Sequence, residues 1–197
     1  MVRVPSHLQS REKQMKKTIL TFGLISGAIS SLLMIATVPF AHRIGLNKGM
    51  VIGYTSMVLS FLLVFFGIRS YRDNVGSGQV TFGKAFAVGL SITMISCIFY
   101  VVTWEIIYYN FLPNFMNEYA AIVIEKTKAS GASEAVVQAK IQEMDKFKEM
   151  YKNPFFNAAM TFIEPFPVGL VITLISAAIL RKRPPFQPAE SSLAASS

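Results

Sequence analysis

The sequence predicts an all-α integral membrane protein: a membrane four-helix bundle with an extracytoplasmic helical hairpin between spans three and four. Three observations carry this. The 197-residue chain is 52% hydrophobic and only 15% charged, whereas soluble domains carry about a quarter charged residues. Its mean hydropathy is +0.45. Four apolar segments each reach the roughly 20 residues that cross about 30 Å of hydrocarbon as a helix. Strands are disfavoured, because period-two alternation is absent and so few segments close no barrel.

The spans read as residues 18–41, 49–68, 83–109 and 155–180. The first two carry no charge, the third holds Lys84 and Glu105, and the fourth holds only Glu164. Residues 16–183 form the membrane domain. Residues 1–15 and the Pro-, Ser- and Ala-rich residues 184–197 are expected to be disordered and cytoplasmic. The first apolar run is longer than a signal peptide's core and has no small-x-small cleavage site after it, so it reads as a retained span.

The net charge of +8 would suggest nucleic acid in a soluble protein. Here the basic residues sit at the ends of apolar runs, where they set topology, and nucleic acid is not an expected partner. Arg3, Arg11, Lys13, Lys16, Lys17, Arg69, Arg72, Lys84, Arg181, Lys182 and Arg183 fall on one side. That side is expected to be the cytoplasm of a bacterial inner membrane, with both termini in it. The opposite side has Arg43 and Lys48 in a short loop, and a long loop whose six lysines match six acids.

The long loop, residues 110–153, reads as two helices. Asn114 caps one that Gly131 ends, and Ser133 caps another that stops before Pro154. Val137, Ile141, Met144, Phe147 and Tyr151 make an apolar stripe at helical spacing. The stripe packs on a neighbouring helix or on headgroups, or it is offered to a partner.

No catalytic, cofactor or metal site is expected. Cys97 is single, and His7 and His42 are far apart with no Cys/His cluster around them. "GQVTFGKA" (residues 78–85) nearly matches a phosphate-binding loop. Ala85 lacks the hydroxyl that magnesium needs, and a membrane span rather than a buried strand precedes it. Gly76 and Gly78 instead suit a turn, Thr81 caps the third span and Lys84 snorkels to the headgroups. Gly23 and Gly27, with Ser31, and Gly49 and Gly53, with Ser56 and Ser60, form small-residue faces for helix packing. In "GIRSYRD", Arg69 and Arg72 are positive-inside anchors or grip lipid phosphates, with Asp73 pairing one of them.

The candidate polar cluster is Glu105, Glu164, His42 and Arg43. Tyr100, Trp104, Tyr108 and Tyr109 form an aromatic belt around Glu105. Glu105 lies about 33 Å of helix rise from Gly83, and Glu164 about 25 Å from Arg181, so both fall near the outer boundary. Ionisable residues at such positions are functional candidates or simply reach interfacial water. In "FIEPFPVGLV", Pro165 disfavours helical geometry at Glu164, and Pro165 and Pro167 leave the carbonyls of Thr161 and Ile163 without donors, which predicts a helix kink there.

The stretches "GIRSYRD…GQVTFGKAFAVGL" and "YKNPFFNAAMTFIEPFPVGLVITLISAAILRK" resemble the DUF4199 family, and the similarity runs from about residue 16 to 183. That resemblance implies a small four-span bacterial membrane protein with no assigned activity and no catalytic residues to carry over. Two functions fit the sequence. One is a non-enzymatic scaffold, partner subunit or envelope component that contacts the lipid bilayer and either a second copy or a membrane or periplasmic partner. The other is a small transporter or proton-coupled carrier whose outward-facing vestibule holds Glu105 and Glu164.

Overall fold

The computed structural model describes residues 6–38 and 46–182. Among them seven helices run in order: α1 (Ser6–Thr37), α2 (Leu46–Asn74), α3 (Phe82–Phe111), α4 (Phe115–Ala129), α5 (Glu134–Tyr151), α6 (Pro154–Ile163) and α7 (Pro165–Leu180). Gln9–Thr37, Lys48–Asn74, Phe82–Phe111 and Pro154–Leu180 are long and apolar enough to cross a membrane. The protein is a multi-pass membrane protein built as a helical bundle.

The helices outrun the apolar segments. Residues 6–15, expected to be loose, are the start of α1. No glycine or proline interrupts the chain between Ser6 and Phe22, and a Glu12–Lys16 pair one turn apart (2.7 Å) supports the exposed face. α1 stops ahead of Pro39, whose ring ends a helix. α2 continues through the "GIRSYRD" segment to Asn74. His42, Arg43 and the tail of residues 184–197 lie outside the described residues.

α3 is the central element and packs on α1, α2, α6 and α7. α1 covers α2 and α3 on one side, and α7 covers the same two helices on the other. Between apolar helices in lipid there is no hydrophobic drive, so close van der Waals approach must hold the bundle. Glycines supply it. A Cβ added at Gly23 would lie 2.9 Å from the Ile95 side chain, and one at Gly27 would lie 2.7 Å from Phe99. Gly67, Gly89 and Gly169 are equally tight, at 2.5 Å from Ile92, 2.7 Å from Ile68 and 2.5 Å from Thr93. At Gly49 and Gly53 nothing lies within 4 Å of an added Cβ, so that small-residue face packs on no described helix of the chain itself. That half of α2 has left the bundle, and its first buried residue is Met57.

The ends of the bundle differ. At one, the start of α1, the end of α2, the start of α3 and the end of α7 meet; this is the basic end. A tight turn joins α2 to α3 there. Ser77 (φ +53°) and Gly78 (φ +79°) adopt left-handed backbone, and a Cβ on Gly76 would come within 2.1 Å of the Gln79 carbonyl oxygen. Thr81 caps α3 by accepting from the Lys84 amide at 3.4 Å. Val80 and Lys182 exchange two backbone hydrogen bonds of 3.1 and 2.9 Å, which clasp the turn to the end of α7.

The α4–α5 pair stands at the other, hairpin end. Gly131 (φ +77°) closes α4. Asn114 and Ser133 occupy the N-cap positions with no side-chain cap bond; their backbone carbonyls accept from the amides of Glu118, and of Val136 and Val137, respectively. The stripe on α5 is consumed internally: Val137, Met144 and Tyr151 are buried, and α5 packs on α4 and α6.

Candidate functional site

Polar side chains collect in two places, along the bundle axis and where the hairpin meets the spans. Along the axis they are Ser and Thr hydroxyls that bond between helices. Ser26 Oγ donates to the Ser60 carbonyl (2.9 Å) and lies 3.0 Å from Ser96 Oγ. Ser31 and Thr103 pair at 2.9 Å, and Thr93 and Thr173 at 3.0 Å. Ser26, Ser60, Ser96, Thr93 and Thr173 are at most 1% exposed. Hydroxyls removed from water need partners, and a neighbouring helix supplies them to Ser26, Ser96, Thr93 and Thr173, whereas the buried Ser60 Oγ makes no hydrogen bond among the described residues.

At the hairpin end the centre is Asn157 on α6, which is fully buried. Asn153 positions it by capping α6, accepting from the amides of Phe155 (2.9 Å) and Phe156 (3.4 Å). Asn157 Oδ1 accepts from Trp104 Nε1 (3.0 Å) and from Thr161 Oγ1 (3.2 Å). Trp104 Nε1 also donates to Tyr151 Oη at 3.2 Å, so one indole ties α3 to both α5 and α6. Burial pushes the Tyr151 phenol above the ordinary tyrosine range. Aromatic rings complete the joint. Trp104 meets Phe115 edge-on at 5.0 Å, Tyr108 meets Tyr151 at 5.3 Å, and Phe147 meets Phe156 at 5.9 Å.

Glu105 borders this joint, within electrostatic reach of Tyr151. Its Oε1 is sealed and makes no hydrogen bond among the described residues, and the same holds for Asn157 Nδ2. Glu164 stands elsewhere. It occupies the one-residue break between α6 and α7, with φ −70° and ψ −58°. The expected loss of helical geometry at Glu164 is therefore corrected: the backbone stays right-handed through the Pro165 junction, and only the hydrogen-bond ladder is interrupted. Pro165 is buried, while Ile163, Glu164, Pro167 and Val171 make up an exposed face.

The two acids are not level. α3 and the fourth span run antiparallel, with Val80 opposite Lys182, Thr93 against Gly169 and Thr173, and Trp104 on Asn157. In this register Glu164 lies opposite the turn that holds Tyr100, about 9 Å of helix rise deeper than Glu105. The structure thus separates the two carboxylates, placing one against the hairpin joint and the other on the outer face of the span. Arg69 and Arg72 lie at the basic end. Asp73 bonds Arg72 Nε at 2.7 Å and stands 3.7 Å from Arg69 Nε.

Sequence reasoning missed Asn157 and Arg11. Asn157 and Thr161 lie one turn apart in an otherwise apolar segment, and that pair of polar residues was the available signal. Arg11 donates twice to the Val75 carbonyl, at 2.7 and 3.2 Å, across 64 residues of sequence, and local pattern carries no trace of it. No group of three or more His, Cys, Asp or Glu residues that could hold a metal occurs among the described residues.

The family model described as "Protein of unknown function (DUF4199)" matches residues 21–182. No curated protein and no solved structure matches the chain. The matched stretch reaches from the first span, through the hairpin joint, to the clasp at Lys182, and the chain belongs to the DUF4199 family.

Proposed function

We propose that this chain is a non-enzymatic membrane protein that works through contacts, as a scaffold, partner subunit or envelope component of a bacterial inner membrane. Its basic end faces the cytoplasm with both termini, and its hairpin stands outside. The charge asymmetry supports that orientation. The observation that carries the reading is the filling of the interior, where Ser26 bonds the Ser60 carbonyl and the hydroxyls of Ser26 and Ser96, Ser31 and Thr103, and Thr93 and Thr173 pair across the helices. Partners are the lipid bilayer and either a second copy or a membrane or periplasmic protein. The half of α2 that leaves the bundle, with Met50, Val51 and Tyr54 exposed, offers a face for such a contact.

A carrier draws support from the interrupted fourth span, because broken helices line transporter sites. Against it, Glu164 is on the outer face and well below Glu105. Liposomes decide between the two. With the native protein inserted, proton flux under an imposed gradient is expected to equal that of protein-free liposomes, and Glu164→Gln to leave it unchanged. Flux above background that Glu164→Gln abolishes would replace the scaffold with a carrier.

A further inference from the structure

We propose that the basic end holds a binding site for a phosphate group, formed by Lys84, Lys182 and Arg11 around the turn between α2 and α3. An open cleft of about 300 Å³ there is lined by Arg11, Tyr71, Gln79, Thr81, Lys84 and Lys182, among others. A second cleft adjoins it and shares Arg11, Tyr71 and Lys84.

Three separate chain segments are pinned around this space. Arg11 is fixed from α1 by its two bonds to the Val75 carbonyl, the turn is held by its left-handed residues, and Lys182 is held by the clasp to Val80. The first cleft therefore gathers three cations, and no carboxylate lines it among the described residues. Glu12 borders the second cleft but is already paired with Lys16 at 2.7 Å. Neither the Lys84 nor the Lys182 ammonium makes a hydrogen bond or ion pair among the described residues. The Tyr71 hydroxyl makes no hydrogen bond among the described residues, although Tyr71 is only 7% exposed and lines both clefts.

Ammonium groups that line one cleft with a phenol and a guanidinium suit the oxygens of a phosphate monoester or diester. Arg69 and Arg72 are less suited, because Asp73 already occupies them. The site is not a nucleotide loop: Ala85, where magnesium would need a hydroxyl, is fully buried. The phosphate comes either from an anionic lipid headgroup at the membrane surface or from a soluble phosphate compound.

The test uses the full chain in phosphatidylcholine nanodiscs. One arm adds phosphatidylglycerol and counts retained lipid by native mass spectrometry; the other titrates inorganic phosphate by calorimetry. Selective retention in the first arm assigns a lipid headgroup, and uptake in the second a soluble phosphate. Lys84→Gln with Lys182→Gln should weaken whichever binding is seen about twentyfold, and Lys84→Gln alone about fivefold. The two Lys→Arg changes, and Lys13→Gln with Lys17→Gln outside the clefts, should stay within about threefold. Both cleft lysines are exposed, so folding should survive, and circular dichroism verifies it. Absence of binding in both arms, or native affinity in the Lys84→Gln/Lys182→Gln protein, overturns the proposal.

Discussion

Gly169→Ala tests whether close helix approach holds the bundle. The new methyl would sit 2.5 Å from Thr93 Cγ2 and 3.0 Å from the Phe61 ring. Ordinary carbon contacts are about 3.5–4.0 Å, so α7 must retreat from α3 by about 1 Å. Such a shift stretches the Thr93–Thr173 contact from 3.0 Å to about 4 Å, beyond hydrogen-bond range. Overpacking costs about 1–3 kcal/mol, and a lost interhelical bond in a membrane protein adds about 0.6 kcal/mol. Helix propensity returns up to about 1 kcal/mol here as well, so the expected net loss is about 1–3 kcal/mol, read by reversible unfolding in mixed detergent micelles. Gly53→Ala is the matched control, since nothing lies within 4 Å. It should be neutral or stabilising by up to about 1 kcal/mol through helix propensity. Equal stability of the two variants would refute the packing argument.

Further expectations concern the two ends of the bundle. Asn157→Leu removes the acceptor for Trp104 and Thr161 and should destabilise by about 2 kcal/mol; the protein has a single tryptophan, so a red shift of its emission reports the loosened joint, and an unchanged spectrum counts against it. Val80→Cys with Lys182→Cys should form a disulfide in the purified protein, because a hydrogen-bonded antiparallel pair sets the Cα atoms about 5.5 Å apart; absence of cross-linking contradicts the clasp. The Tyr151 phenol is raised in the folded state, so its neutral form stabilises the joint fully below the unfolded tyrosine value of about 10. That contribution is lost as pH rises from there through the folded value, and Trp104 emission should shift over that alkaline range but not below it.

The spans were legible because a run of about 20 apolar residues has one solution in lipid. The hairpin was legible from Asn114, Gly131 and Ser133, whose positions mark helix ends even where the cap side chains make no bond. Small-residue spacing was a weaker guide. It shows which face permits close approach and not whether a helix is there, so Gly23 and Gly27 meet α3 while Gly49 and Gly53 meet nothing. Gly89 and Gly169 lie in small-residue runs of their own, Ala85, Gly89 and Thr93 on α3 and Gly169, Thr173 and Ala177 on α7, each four apart and buried at a helix crossing. The hydroxyl pairs were hidden for a similar reason. Ser26, Ser60 and Ser96 come from three helices, and only the fold shows that they meet. Counting rise placed Glu105 and Glu164 near one boundary, but the interhelical register was needed to see that they do not share a level.

The central claim is that the middle of the bundle is closed by its own side chains. It is tested most directly by cysteine labelling in sealed vesicles, with Cys97, itself buried, replaced by alanine. Ser60, Thr93 and Ser96 are each changed singly to cysteine and exposed to a membrane-impermeant thiol reagent on either side, with Lys128→Cys on the hairpin as a reactive reference. Rapid labelling is expected at position 128 and none at 60, 93 or 96 from either face. Labelling of Ser96→Cys at a rate comparable to the reference would reveal water along the bundle axis and contradict that claim.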